Sequence, residues 1–262
     1  MTESSGNYSP HPAVEIVNAT GTTPLLIICD HASNAVPRDL SDLGLARAAL
    51  DQHIGWDIGA AAVARRLASA LDATAILSRT SRLVIDPNRN PDDPTSIPEV
   101  SDDVRIPGNQ NVTTAERRRR QDAYFHPYHR AIAHEIARLT AGATVPALFS
   151  VHSFTPAMSG QQRPWHIGVL WNRDPRMAGP LIRGLRAHPD DLVVGDNQPY
   201  SGQLVAYSLH RHGGDGGLPH CAVEIRQDLV AADDDAARWA VILEGCLAEI
   251  LAVPELHRVR HY

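Results

Sequence analysis

Two histidines follow apolar, strand-like segments, in the positions where catalytic ligands often stand. Residues 25–29 lead into Asp30 and His31, and residues 147–151 lead into His152. Ligands of open α/β sheets bind outside the carboxyl ends of the strands. Two histidines that share such an edge with a carboxylate can form a catalytic zinc site with an open coordination position. We therefore predict that His31 and His152 bind one divalent metal ion, Zn2+.

Two residues are candidates for the third ligand of this metal site. Asp57 ends the segment His53-Ile-Gly-Trp-Asp57 and is the preferred ligand, although the same position suits the N-cap of the helical segment that follows. Asn34 stands three residues after His31, where no acidic residue is found. Asp30 is a candidate for the partner that orients an imidazole from behind.

Glu224 lies in the middle of the apolar segment 222–225, where a carboxylate is costly unless it is paired or functional. Burial raises the pKa of such a carboxylate toward the range that suits a general base. We therefore predict that Glu224 is the catalytic base. The alternative is a structural ion pair of Glu224 with Arg226 or another nearby arginine.

Polar residues are concentrated in the segment 81–89, around a predicted strand end. Arginine binds carboxylates through two parallel hydrogen bonds, and a neighbouring asparagine can add another. The residues predicted to bind an anionic substrate are Asn88, Arg89, Arg82 and Arg226. For Arg82 the alternative is a structural salt bridge with Asp86, which would hold the loop.

The charge and motifs of the chain exclude several functions. The 262 residues carry a formal net charge of −6, so no basic field favours nucleic acid. The run Arg117-Arg-Arg-Arg120 is predicted to be the solvated face of a helix. Neither a G-x-G-x-x-G nor a Walker-type loop is present, which argues against nucleotide binding.

Cysteine usage and the apolar pattern bear on the location of the protein. Three scattered cysteines are too few for a disulfide framework or a cysteine-rich zinc module. Residues 1–10 lack the basic and apolar regions of a signal peptide, and no apolar stretch is long enough to span a membrane. We expect a soluble cytoplasmic protein that binds neither nucleic acid nor membranes.

Strand-like and helical segments alternate along the chain. This alternation predicts a single-domain α/β fold with three α/β/α layers and a mixed, largely parallel sheet. We expect a mobile arm and a short approach strand in residues 1–20, and one catalytic domain in residues 21–262. Residues 90–111 are a predicted binding loop or lid. The predicted strands are 25–29, 73–77, 83–85, 147–152, 166–170, 192–194 and 222–225, and the predicted helices are 58–71, 113–140, 175–187, 203–212 and 231–251.

The motifs occur in an order that resembles the N-formylglutamate amidohydrolase family, in particular its predicted, less characterised branch. The series is Asp30-His-Ala-Ser-Asn34, Gly55-Trp-Asp57, Ser81-Arg-Leu-Val-Ile-Asp-Pro-Asn-Arg89, Tyr128-His129, Val151-His-Ser-Phe154 and Glu224-Ile-Arg226. That family is similar in fold to zinc carboxypeptidases and aspartoacylases. The resemblance therefore implies a zinc-carboxypeptidase-like domain.

The resemblance also implies an activity, the hydrolysis of the linear amide bond of an N-formyl or other N-acyl amino acid, such as N-formylglutamate, by zinc-activated water. The matching residues are His31 and His152 for zinc, Glu224 for the base-like carboxylate, and Asn88 and Arg89 for the carboxylate of a small anionic substrate. Two alternatives are a zinc carboxypeptidase-like peptidase and a non-catalytic metabolite-binding relative that has lost the metal. The second arises because Asn34 stands where the related peptidases have a metal-binding glutamate.

Overall fold

A mixed, seven-stranded sheet runs through the part of the chain that the computed structural model describes, residues 12–142 and 144–262. The strands are β1 (Val14–Val17), β2 (Leu25–Cys29), β3 (Thr74–Ser78), β4 (Val100–Ser101), β5 (Val104–Arg105), β6 (Ala147–Phe154), β7 (Ala157–Met158), β8 (Gln161–Gln162), β9 (Ile167–Leu170), β10 (Val194–Asp196) and β11 (His220–Arg226). The order in the main sheet is β1-β3-β2-β6-β11-β9-β10, and β4–β5 and β7–β8 form two short hairpins.

The four central strands of the sheet, β3, β2, β6 and β11, are parallel neighbours. The strands β1 and β9 run antiparallel to β3 and β11, and β10 runs parallel to β9. Every residue of β2, β3 and β6 is buried, as expected for strands that are covered on both faces. The prediction of a mixed, largely parallel sheet is therefore confirmed.

Helices cover both faces of this sheet. The α-helices of the described residues are α1 (Arg47–Leu50), α2 (Ala60–Ala70), α3 (Thr114–Arg120), α4 (His126–Thr140), α5 (Ala178–Arg186), α6 (Tyr207–Leu209) and α7 (Asp233–Leu251). Successive side chains of a strand point to opposite faces, so Leu25 and Ile27 pack with α2, α5 and α7 whereas Leu26 and Ile28 pack with α4. Helices on both faces of one sheet form the three α/β/α layers that the sequence predicts. Within the described residues, no helix combines the length and the apolar character needed to cross a membrane.

The start of the fold differs from the predicted boundary. Residues 1–11, which hold most of the expected mobile arm, lie outside the described residues. The strand β1 follows them and pairs antiparallel with β3 from Val14 to Val17. The expected approach strand is therefore an edge strand of the sheet, and the folded domain extends before residue 21.

The apolar segment 83–85 is a buried turn, so the strand predicted there is wrong. Its backbone bonds to loops: the Val84 N–H donates to Ser81 O at 2.9 Å, and the Asp86 N–H donates to Ser96 O at 2.7 Å. The side chains of this segment pack in a separate apolar cluster with Ile97, Ile106, Tyr124 and Phe125. The apolar run thus forms a second small core beneath the loops.

The basic run at residues 117–120 is only in part the solvated helix face that its charge pattern predicts, because Arg118 is exposed whereas Arg120 is buried. Arg120 is only 1% exposed. Its Nη1 donates to Val84 O at 3.1 Å and to Asn109 Oδ1 at 2.7 Å. Helix α3 therefore anchors the irregular segment that precedes it, through an arginine that is buried in order to satisfy backbone and amide oxygens.

The long helix predicted from Thr113 onward begins as expected but is divided. The Thr113 hydroxyl caps it by accepting a hydrogen bond from the Glu116 N–H at 3.1 Å. A π-helical turn at Gln121–Phe125 separates α3 from α4. Pro127 lies in the first turn of α4, where its missing N–H is tolerated.

Gly59 provides a test of how tightly the start of α2 is fixed. It has a φ of +81°, and a Cβ atom there would lie 2.1 Å from Val230 O. We expect Gly59→Ala to lower the free energy of unfolding by about 2–4 kcal/mol in urea denaturation, because the clash and the left-handed backbone both disfavour alanine. The control is Gly245→Ala in α7, which has open space around it. This variant should be neutral or slightly stabilising, and equal losses in the two variants would contradict the argument.

Candidate metal centre and active site

Three adjacent parallel strands bring the predicted chemical residues to one edge of the sheet. Asp30 and His31 directly follow β2, and His152 lies near the carboxyl end of β6. Glu224 of β11 is the direct register partner of His152. Because parallel strands end at the same edge, these four side chains meet in one place.

His31, Asp57 and His152 form a buried group that could hold a metal ion. The Nδ1 atom of His31 lies 3.3 Å from Asp57 Oδ2, and the Nδ1 atom of His152 lies 2.8 Å from the same oxygen. Ligand atoms from the three residues all lie within 4.8 Å of one another. Two imidazole nitrogens and one carboxylate oxygen are a donor set that suits zinc and leaves a coordination position open. The residues present therefore fit the metal that the sequence predicts.

A second pair of carboxylates holds the two imidazoles from behind. His31 Nε2 lies 2.8 Å from Asp86 Oδ1, and His152 Nε2 lies 3.1 Å from Asp30 Oδ2. A ligating histidine typically donates its other ring N–H to such a carboxylate, which fixes the tautomer and leaves the opposite nitrogen to the metal. The role predicted for Asp30 agrees with this geometry. Sequence reasoning assigned Asp86 only to a salt bridge with Arg82 and missed its contact with His31.

Arg82 and Ser208 satisfy the remaining oxygens of this buried carboxylate group. Arg82 Nη2 donates to Asp86 Oδ2 at 3.0 Å, and its Nη1 lies 3.4 Å from Asp57 Oδ1. The Ser208 hydroxyl donates to Asp30 Oδ1 at 2.6 Å. The salt-bridge alternative for Arg82 is therefore realised, and its guanidinium charge is shared with two carboxylates of the metal centre. No sequence pattern marked Ser208.

The ionisation of the centre follows from these contacts. Burial would raise the pKa of Asp57, but the charge of His31 and the hydrogen bond with His152 outweigh burial and lower that pKa. Burial would lower the pKa of His152, but its hydrogen bonds with Asp30 and Asp57 raise it well above the usual value. Because a metal ion binds the neutral imidazole, metal binding at His152 would compete with its protonation.

Asp57 is available to the metal centre because it does not cap the helix that follows. Helix α2 begins at Ala60 and has Gly59 as its N-cap, with no side-chain cap. The Asp57 N–H donates to His31 O at 2.9 Å, which ties the turn to the end of β2. The competing candidate, Asn34, instead donates from its Nδ2 to Asp51 Oδ1 at 2.8 Å on the surface. Of the two candidates, Asp57 and not Asn34 therefore belongs to the group that could hold a metal ion.

Glu224 has the environment that its apolar strand predicts. The side chain is buried, and within the described residues its Oε2 atom has no hydrogen-bond partner. Burial raises the pKa of Glu224 to about 7, although the charge of His152 opposes this. The alternative ion pair with Arg226 does not form, because the Arg226 guanidinium pairs with Asp228 at 2.8 Å. An unpaired buried carboxylate is costly, which is typical of a functional group.

A cavity of about 850 Å³ opens over the centre and is lined by His31, Asp57, His152 and Glu224. Arg82, Asn88 and Arg89 also line it, together with residues of the predicted binding loop 90–111. Arg89 is partly exposed, and its Nη1 donates to Thr95 Oγ1 at 3.1 Å. Asn88 Oδ1 accepts from the Ser208 N–H at 3.1 Å, which leaves the amide nitrogen available for a ligand.

Other candidates lie away from the cavity. Arg226 is not among its lining residues, so we do not include this arginine in the proposed substrate site. His129 lies behind the centre, where its Nε2 contacts Pro87 O at 3.0 Å and its Nδ1 lies 2.8 Å from His212 Nε2. Burial lowers the pKa of both histidines of that pair to about 4. His166 accepts from the Val193 N–H at its Nδ1 and does not line the cavity.

Asp86→Asn tests the role of the carboxylate behind His31. Asparagine keeps the shape but removes the negative charge, so we expect zinc affinity to fall by about 10–100-fold in a chelator competition titration, with an unchanged circular dichroism spectrum. Asp51→Asn is the matched control, since Asp51 pairs with Arg47 on the surface. An unchanged affinity in the Asp86 variant would contradict the assignment.

Comparisons with known proteins agree with this geometry. The chain matches the family model of N-formylglutamate amidohydrolase over residues 23–231. The crystal structure of a gene product from Agrobacterium tumefaciens is 36% identical to this chain, with a TM-score of 0.88 over 92% of this chain and 95% of that one. An N-formylglutamate amidohydrolase from Ralstonia eutropha JMP134 shares the fold, with a TM-score of 0.71 at 20% identity over 93% of this chain and 98% of that one.

Among curated protein sequences, none shows significant similarity to this chain. The family match nevertheless spans most of the chain and includes every residue of the group that could hold a metal ion. It also covers Glu224, the unpaired carboxylate that faces the same cavity. The chain therefore belongs to the N-formylglutamate amidohydrolase family and is an amidohydrolase.

Proposed function

We propose that this protein is a metal-dependent hydrolase that cleaves the linear amide bond of N-formyl or other N-acyl amino acids, with N-formylglutamate as one possible substrate. The observation that carries the proposal is the unpaired, buried carboxylate of Glu224 beside the buried donor group of His31, Asp57 and His152, at one cavity. A base next to a metal centre with an open position is the arrangement that amide hydrolysis by water requires.

Zinc is the proposed cofactor, and His31, Asp57 and His152 would hold it. When bound, zinc supplies Lewis-acid polarisation of a carbonyl group and acidifies a water molecule. Asp86 and Asp30 keep the two imidazoles oriented through their Nε2 atoms. Arg82 holds Asp57 and Asp86 in place and balances part of their charge, so we assign it to positioning of the centre in addition to lining the cavity.

Glu224 is the proposed base. Its free Oε2 atom takes one proton from the attacking water and passes it to the amide nitrogen as the C–N bond breaks. The products are a carboxylic acid and a free amine, so one water molecule is consumed for each bond. A pKa of about 7 suits both halves of this transfer, because the group can accept and release a proton near neutral pH.

Asn88 and Arg89 are the proposed anchor of the substrate carboxylate. Both line the cavity, and Arg89 is less completely engaged in ion pairs than Arg82. The non-catalytic alternative rested on Asn34 at the usual position of a metal-binding glutamate. Asp57 offers the missing third donor, so we favour the hydrolase over that alternative.

Glu224→Gln tests the assigned base. The amide cannot accept a proton, so we expect kcat to fall about a hundredfold or more while zinc binding is retained. The assay follows the release of free amine from a panel of N-formyl and N-acyl amino acids by zinc-loaded protein. Near-normal turnover in this variant would remove Glu224 from the mechanism. Release of C-terminal amino acids from peptides, with no activity on N-acyl amino acids, would favour the peptidase alternative instead.

Arg89→Ala tests the substrate anchor. A bidentate contact between a guanidinium and a carboxylate is worth about 1.5–3 kcal/mol, so KM is expected to rise roughly tenfold or more. Arg89→Lys should recover only part of this loss, because an ammonium group cannot reproduce the two parallel hydrogen bonds. The comparison uses each substrate with a free and with an amidated carboxylate. If Arg89→Ala leaves the ratio of the two unchanged, Arg89 does not bind the carboxylate.

A further inference from the structure

The cavity is larger than a small N-formyl amino acid needs. Its volume is about 850 Å³, which is in the range of sites that bind drug-sized ligands. At about 30 Å³ for each water-sized group, a ligand of about a dozen non-hydrogen atoms would fill less than half of this space. A formyl group would therefore leave much of the cavity to water.

Five apolar or aromatic residues that line this cavity come from two segments of the chain, and we call them the apolar wall: Phe154, Met158, Tyr200, Leu204 and Val205. Leu204 is 87% exposed, and Met158 and Val205 are also exposed. Exposed apolar side chains that lie singly are common, but a group of them around one cavity marks a binding surface. Val100, another exposed apolar residue, also lines the cavity.

Arg163 fixes the inner part of the apolar wall from the side. Its Nη1 donates to the Tyr200 hydroxyl at 3.1 Å, and its Nη2 contacts Met158 Sδ at 2.8 Å. The guanidinium carbon lies 5.0 Å from the ring centroid of Tyr200 and 5.8 Å from that of Phe154. These contacts hold three side chains of the wall close together. Arg163 itself is not among the lining residues, so its charge lies behind the apolar wall and does not face the cavity.

The charged residues of the cavity rim come from a different part of the chain. Arg89, Asp93, Glu99 and Asp102 all belong to the segment 89–102. The two segments that build the apolar wall, residues 154–158 and 200–205, contribute no charged side chain to the lining. Arg89 is the cation among these four residues, so an anionic end of a ligand would bind at Arg89 while an apolar end covers the wall.

We propose that the preferred substrate is an amino acid whose nitrogen carries a long apolar acyl group, such as a hexanoyl to decanoyl chain. This inference rests on the proposed function. The carboxylate of the amino acid binds Asn88 and Arg89, the amide lies at the metal centre, and the acyl chain covers the apolar wall. Water adds across the C–N bond, with OH to the acyl carbon and H to the nitrogen, so the products are a fatty acid and a free amino acid.

The test compares N-formyl-, N-acetyl-, N-hexanoyl- and N-octanoylglutamate as substrates of the zinc-loaded protein. Each methylene group that is fully buried favours binding about fourfold, and a partly exposed wall gives less. We therefore expect kcat/KM to rise at least tenfold from the acetyl to the octanoyl substrate. A series that is flat, or that falls with chain length, would overturn the inference while leaving the proposed function intact.

A binding experiment separates failure of the inference from failure of the proposed function. Calorimetry on the zinc-loaded Glu224→Gln variant measures the affinity for N-acetyl- and N-octanoylglutamate without turnover. If no substrate is hydrolysed by the wild-type protein, the proposed function fails. Tenfold tighter binding of the octanoyl compound would still support an apolar ligand on this wall, and equal affinities would overturn it.

Leu204→Ser locates the effect on the apolar wall. Leu204 is so exposed that its replacement does not remove a core contact. We expect the ratio of kcat/KM for the octanoyl and acetyl substrates to fall about fivefold, which corresponds to about 1 kcal/mol. Val241→Ser is the matched control, because Val241 is an exposed valine of α7 outside the cavity lining. The control should keep the wild-type ratio, and an unchanged ratio in Leu204→Ser would contradict the assigned wall.

Discussion

The charge balance of three buried aspartates is the constraint on which the rest of this structure depends. Asp30, Asp57 and Asp86 are each almost inaccessible to solvent. An ionised carboxylate is tolerated in a protein interior only when it is paired and hydrogen-bonded. The partners come from separate segments of the chain and include two imidazoles, the guanidinium of Arg82 and the hydroxyl of Ser208. Each segment must keep its place for the others to remain neutralised, and this interdependence fixes the site.

Irregular backbone can position a metal site only if packing makes it rigid, and the backbone that carries Asp86 beside the proposed metal centre is rigidly packed. Asp86 follows a turn that has no strand neighbours, yet the turn is buried in its own apolar cluster. Arg120 and Asn109 satisfy its backbone oxygens, since Arg120 Nη1 donates to Val84 O and Asn109 Nδ2 donates to Leu83 O at 2.8 Å. The loop therefore positions Asp86 as firmly as a strand would, which a preorganised site requires.

The sequence could predict the parts that depend on local periodicity. Burial of β2, β6 and β11 follows from their apolar runs, and their parallel order brings His152 and Glu224 to one edge. It could not predict contacts that join distant segments, such as the one between Arg120 and Val84. A three-residue apolar run fits a loop core as well as a strand, because both bury it. The sequence predicts that Arg226 binds the substrate, but its guanidinium pairs with Asp228, two residues later in the chain.

One turn of the chain contacts both the proposed metal centre and the proposed substrate anchor. Asp86 accepts from the Asn88 N–H at 2.8 Å and lies 3.5 Å from Arg89 Nε, while its other contact orients His31. An anion bound to Arg89 would compete with Asp86 for the positive charge of the Arg89 guanidinium. Coupling between two ligands is reciprocal. If a bound anion changes the affinity of the centre for its ion, the ion changes the affinity for the anion by the same factor, and cofactor retention and substrate capture form one linked equilibrium.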